Sequence, residues 1–191
     1  MSTPPPPPPS GPPPPPPAPP PPSGGYYTPQ PGAPGGRVLA RPWMRIIARI
    51  LDGIIMGIIS SLLVAAFVLD SGDTAGFGGL GQDYDAGQYV AATLIGLIVG
   101  FLYEAVLTAL KGGTPMKLAF GMRVIRATGS PIDWGASIIR WAVFGLLPIF
   151  PIIGGIAAFV MGIVSLIFLF TDKLRQTVPD KAAKTIVVSV R

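Results

Sequence analysis

Cysteine and histidine are both absent from the 191-residue sequence. Without Cys there is no disulfide framework, thiol nucleophile, thiolate zinc site or iron–sulfur cluster, and without His no imidazole base, haem ligand or ordinary zinc site. Charge is scarce as well: Asp, Glu, Lys and Arg make up 12% of the chain, against about 25% in soluble domains. Carboxylates, hydroxyls, Lys and Arg remain for chemistry, and they form neither a Gly-x-Ser-x-Gly elbow nor a Ser-x-x-Lys pair. These absences argue against an enzyme and leave no cofactor or metal to expect.

Hydrophobic residues, at 49%, dominate what is present, together with 25 prolines and 25 glycines. The net charge of +5 and the pI near 9.8 would ordinarily raise nucleic acid as a partner. The basic residues follow membrane topology instead, so no nucleic-acid partner is expected.

Composition breaks near residue 37. Nineteen of the 25 prolines lie in residues 1–34, in the runs Pro4 to Pro9, Pro12 to Pro17 and Pro19 to Pro22, and no charged residue precedes Arg37. Proline fixes φ and removes the amide donor, so these runs sample polyproline II, a semi-rigid spacer with no globular core. Residues 1–40 are therefore expected to be a disordered, proline-rich cytoplasmic tail. A Pro-rich tail can dock in an aromatic-lined groove of a cytoplasmic protein, but no Lys or Arg flanks the runs to set an orientation, which favours a tether.

Residues 41–190 read as a transmembrane domain. Ile46 to Leu69 is interrupted only by Arg49 and Asp52, Tyr89 to Leu110 only by Glu104, and Trp134 to Thr171 only by Arg140. Each of the first two is long enough to cross a hydrocarbon core of roughly 30 Å. Pro148-Ile149-Phe150-Pro151 divides the third stretch into a good span, Ile152 to Phe170, and a short segment before it. Basic residues cluster before or just inside the first span, after the second and after the last, whereas the loop from Asp70 to Gln88 carries only acidic charges. By the positive-inside rule both termini and the middle loop are cytoplasmic. Parity then favours four spans with the third short or tilted, over an interfacial helix followed by a single last span. The fold expected is an all-α bundle of about four transmembrane helices in the plasma membrane, with small cytoplasmic loop elements. Thr114-Pro115 opens a short helix, and Met122 to Arg126 and Thr185 to Val190 are β-compatible runs that could pair beneath the bilayer.

Charges inside the spans carry the functional signal. Arg45, Arg49 and Asp52 share one helical face, so Asp52 reads either as a carboxylate in a polar cavity, able to bind a cation or exchange a proton, or as an ion-pair partner of Arg49 that fixes packing. Glu104 is either a second member of that site or a buried partner for Arg140 or Arg49. Arg140, between Trp134 and Trp141, suits an interfacial anchor as well as a substrate contact.

Arg45-Ile46-Ile47-Ala48-Arg49-Ile50-Leu51-Asp52 resembles the first-helix signature of the RDD family of small bacterial membrane proteins. The likeness continues through Gly113-Thr114-Pro115-Met116-Lys117 and Gly121-Met122-Arg123-Val124, and ends in Gln176-Thr177-Val178-Pro179-Asp180-Lys181 with Thr185-Ile186-Val187-Val188. On this resemblance Arg45, Asp52 and Asp180 are the name-giving arginine and two aspartates. Met116 and Pro179 stand where the family more often has Gly and His. Transport of ions or small solutes is what the resemblance implies. Asp180, about nine residues past the last span, is expected at the cytoplasmic surface, where it could pair with Arg45 or Arg49 and clasp the tail to the bundle.

Two function classes follow. One is a small carrier or channel, perforce oligomeric if four short helices enclose too little space, with Asp52, Glu104 and Arg49 on the path. The other is a non-catalytic membrane scaffold whose proline tail recruits a cytoplasmic partner.

Overall fold

The computed structural model of the chain describes Met1 and residues 34–68 and 84–190. Most of the proline-rich tail, and the acidic loop with Asp70, Asp73 and Asp83, lie outside the described residues.

Helix α1, Pro42–Phe67, begins with a proline at the start of its first turn, where the missing N–H would have been unpaired anyway. Asp85 and Gln88 start α2, Ala86–Gly100, through a reciprocal capping box, with Gln88 N–H donating to Asp85 at 2.8 Å. The same helix then widens into a π-helical stretch, Phe101–Val106, and closes as α3, Leu107–Lys111. Gly112, at φ 80°, ends it in the left-handed conformation that suits glycine. Short α4, Pro115–Ala119, and strand β1, Met122–Arg126, follow. Next come α5, Trp134–Gly145, capped by Asp133, and α6, Pro151–Thr171. The chain finishes with α7, Val178–Ala182, and β2, Thr185–Ser189.

Among the described residues three helical stretches are long and apolar enough to cross a bilayer: Pro42–Phe67, Ala86–Ala119 and Pro151–Thr171. Helix α5 has 12 residues, about 18 Å. With the turn that follows it, α5 nonetheless lies along its neighbour from Ala105 to Tyr89. Ser137, in its first turn, donates to the Ala105 carbonyl at 2.6 Å, and the Pro148 carbonyl beyond its end accepts from Tyr89 at 2.5 Å, in the first turn of α2. Helix α5 is therefore antiparallel to α2 and arrives at the opposite end of the bundle. The return is tight. A Cβ on Gly154 would collide with the backbone carbonyl of Leu147, so α6 can fold back on this turn only with glycine there. Helices α1 and α2 are antiparallel as well, since Arg49 meets Glu104, Asp52 meets Tyr103 and Met56 lies against Gly100. Trp43 and Phe170 meet edge to face at 5.9 Å, which brings the start of α1 and the end of α6 to one end. The result is the expected helical bundle, four antiparallel helices of which the third, α5, is short. Most large apolar side chains of the spans, Ile152, Ile153 and Phe159 among them, point outward, as lipid-facing helices require.

A small extra-membrane layer closes the end where α1 begins. Strands β1 and β2 pair antiparallel in the register Val124 to Val187 and Ile125 to Ile186. A two-stranded sheet is marginal alone, and here both faces are covered. One packs Met122, Val124 and Val187 against Ala40, Ala48, Ile132, Ala136 and Ala183. The other joins Ile125, Ile186 and Val188 to Leu39. Residues 38–40 extend the sheet along the free edge of β2, with Ala40 N–H donating to Val187 O at 3.0 Å and Ser189 N–H to Val38 O at 2.8 Å.

Candidate functional site

Polar side chains converge where the bundle meets this layer. Asp180 is fully buried, with 0% of its surface exposed. It sits at the third position of α7 and accepts from the Thr177 N–H at 3.0 Å and the Thr177 hydroxyl at 2.8 Å, a capping box with Asp in the usual Glu position. Arg45 from α1 pairs with its Oδ2 and Arg140 from α5 with its Oδ1. Arg140 also donates to the Thr185 hydroxyl at 2.6 Å, and Arg45 to the Arg175 carbonyl. Burial by itself would raise the Asp180 carboxyl, but the Arg140 and Arg45 charges and the Thr177 bonds outweigh it and hold the group well below the usual carboxylate range.

This arrangement corrects two expectations. Asp180 is not at the surface, because α7 folds back under the bundle rather than away from it. Arg140 is neither an interfacial anchor nor open to a substrate: it is 5% exposed, and its guanidinium is committed to Asp180 and Thr185.

Asp52 is 1% exposed and is held by neutral donors alone. The Tyr103 hydroxyl donates to Oδ1 at 2.7 Å, the Thr114 hydroxyl to Oδ2 at 2.5 Å, and the Met116 N–H to Oδ1 at 3.2 Å. Thr114 and Met116 belong to the first turn of α4, so a carboxylate from the first span caps the short helix that turns the chain out of the second. Met116 lies in ordinary helical backbone within α4, and the side chain standing where glycine is more usual causes no strain there. Arg49 is not the partner of Asp52. Its guanidinium goes to Glu104 at 2.8 Å, because the π-helical turn presents Tyr103 and Glu104, adjacent in sequence, to successive turns of α1.

The matching pattern of residues has a name. The model of the RDD family matches residues 39–184. The chain belongs to the RDD family. No curated protein and no solved structure matches it. The three residues that give RDD proteins their name do two separate jobs here. Arg45 and Asp180 lock the terminal layer to the first helix, and Asp52 pins α4 to the same helix two turns further into the bundle.

Lys117 is the residue that sequence reasoning passed over. It lies on α4, is 6% exposed, and has no ion-pair or hydrogen-bond partner among the described residues. Of the charges around it Glu104 attracts it most, while Arg140 and Arg49 repel it. Thr108, one helical turn past Glu104 on the same face, is also buried, and its hydroxyl has no partner among the described residues. The buried core of this RDD protein thus holds Arg45, Arg140 and Asp180 as one group and Asp52 as a second, with every carboxylate oxygen accepting at least one bond. Glu104, Lys117 and Thr108, with the half-exposed Arg49, keep unused bonding capacity. Among the described residues no group of three or more acidic, His or Cys side chains is placed to hold a metal.

Proposed function

We propose that this protein moves ions or small solutes across the plasma membrane, as a multi-pass protein with both termini cytoplasmic, and that it does no covalent chemistry. The observation that carries the reading is Lys117, 6% exposed and with no ion-pair or hydrogen-bond partner among the described residues, for which Glu104 is the strongest attracting charge. A charged group inside a membrane protein normally pairs, so one that does not marks a place where a solute, water or proton is exchanged. Glu104 is reached from one side by Arg49, whose side chain is 49% exposed and offers a route from the surface of α1 inward. Asp52 belongs to the wall of this polar site: each of its oxygens is occupied, and a cation could enter only by displacing the Thr114 or Met116 bond that holds α4. Orientation follows from the basic residues before α1, after α3 and after α6.

Reconstitution in sealed vesicles tests this. Internal pH and sodium are followed under imposed gradients for the wild type, Glu104→Gln and Asp52→Asn. The expected result is flux through the wild type, flux through Asp52→Asn that scales with its folded yield, and none through folded Glu104→Gln. Equal flux through folded Glu104→Gln and wild type would refute the site. Absence of flux from well-folded wild type, with loss of a bound partner on deleting residues 1–36, would favour the scaffold reading.

A further inference from the structure

A second polar surface lies outside the buried site and uses none of its residues. Where α3 ends and β1 begins, the layer has a groove of about 390 Å³ whose wall contains Arg37, Lys111 and Arg123 and no acidic residue. An adjoining depression of about 490 Å³ shares Lys111 and Arg123 with it. Among the described residues neither Lys111 nor Arg123 is paired with a carboxylate, and Arg37 makes one long bond, 3.3 Å to the Gly129 carbonyl. Gly112 at φ 80° lets the chain turn so sharply that the Arg123 side chain lies back along the end of α3, within 3.8 Å of where a Cβ on Gly112 would be. Cations from the second span and the sheet are thereby brought to one place.

The surroundings decide what they would hold. Lys111 is the last residue of α3, at the end of the second long apolar helix. The groove is edged by Leu110 and Val190, which are 65% and 58% exposed. A soluble anion would use the cations and have no use for that apolar edge. We propose that this groove binds an anionic phospholipid, with the phosphate between Lys111, Arg123 and Arg37 and the glycerol and upper acyl carbons against Leu110 and Val190. Ammonium and guanidinium donors suit the phosphodiester oxygens. The inference is independent of the transport reading, since it concerns only this outer face.

The test uses the full chain purified in a mild detergent, with retained lipid counted by native mass spectrometry as phosphatidylglycerol or phosphatidylcholine is added. The wild type is expected to retain phosphatidylglycerol in clear preference. The double variant Lys111→Gln/Arg123→Gln is expected to weaken that retention roughly 25-fold, from about fivefold per basic residue at a membrane surface. Should the double variant fold poorly, Arg37→Gln, at the exposed edge, is expected to cost roughly fivefold. Lys173→Gln, an exposed basic residue after α6, is expected to change nothing. Equal retention of both lipids, or an equal loss with Lys173→Gln, would overturn the proposal in favour of diffuse surface attraction. Displacement of phosphatidylglycerol by millimolar inorganic phosphate, with the same dependence on Lys111 and Arg123, would overturn it in favour of a free-phosphate site.

Discussion

Replacing Asp180 with Asn is the sharpest test of the lock between α1, α5 and α7. The substitution keeps the volume and one acceptor but removes the carboxylate that both Arg45 and Arg140 contact. The two guanidiniums, 7% and 5% exposed, are left facing each other with no counter-charge in contact among the described residues. Breaking a buried pair from one side costs about 3–5 kcal/mol, and the amide oxygen can keep part of the Thr177 cap, whose full loss would add about 1 kcal/mol. The expected destabilisation is therefore about 4 kcal/mol, a large share of the roughly 5–15 kcal/mol that holds a domain. At about 2–4 °C per kcal/mol for a chain of this size, Tm in detergent, read by loss of helical circular dichroism, should fall by about 8–16 °C. Adding Arg140→Gln removes one of the stranded charges, so the double variant should be more stable than the sum of the two single losses implies. A Tm within about 2 °C of wild type for Asp180→Asn, or strict additivity in the cycle, would refute the lock.

The remaining expectations follow from the same contacts. Because the folded Asp180 carboxyl is depressed, its stabilisation is fully present above the unfolded value near pH 4 and is lost as pH falls below it; denaturation scans should be flat in this respect from about pH 7 to 5, and the acid loss should be smaller in Asp180→Asn. For Asp52→Asn, one oxygen remains for Tyr103 and Met116 and the Thr114 hydroxyl can turn to accept, so the expected cost is about 1–2 kcal/mol; Asp52→Leu strands all three donors and should prevent stable folding, checked by monodisperse yield in detergent. Gly154→Val drives a side chain into the Leu147 carbonyl and should cost at least about 1–3 kcal/mol, with helicity retained and Tm lowered. Conversely, Gly53→Ala, inside α1 and with nothing within 4 Å of its Cβ among the described residues, should stabilise the monomer by about 0.5–1 kcal/mol; a lowering of Tm that depends on protein concentration would reveal a partner copy on that face.

Much of the fold was legible because membrane spans advertise themselves by uninterrupted apolar length and by the basic residues that flank them. Parity of crossing favoured a short third pass, and the bonds of Ser137 to Ala105 and of Tyr89 to Pro148 set α5 antiparallel to α2. The layer's strands were readable from their β-branched runs, although nothing in them announced that residues 38–40 would extend the same sheet. The site was less legible. Arg49 and Asp52 share a face and look like a pair in sequence, yet the π-helical turn at Phe101–Val106 delivers two side chains to α1 at once and separates them; a π turn has no sequence signature comparable to a cap or a proline. Asp180 looked exposed because it lies about nine residues past the last span, whereas Thr177-x-x-Asp180 is a capping box that opens a helix folded back under the bundle. For Lys117 there was no usable signal, because a lysine just after a membrane helix ordinarily reads as a topology marker.

Buried carboxylates differ in what surrounds them, and that difference separates structure from activity in this protein. Asp180 is paired with two cations and Asp52 accepts from three neutral donors, and each is tied to a short helix, α7 or α4. A group in that condition can exchange its proton or accept a cation only if α7 or α4 lets go. Glu104 is under no such constraint. It contacts one arginine whose side chain is 49% exposed, is the strongest attracting charge on Lys117, and stands in a helical turn widened from the α-form. Proton exchange or solute binding there would shift a balance among Arg49, Glu104 and Lys117 without unseating a structural element. The family's name therefore points to the residues that hold the layer and the bundle together, and the residues with freedom to act lie between them.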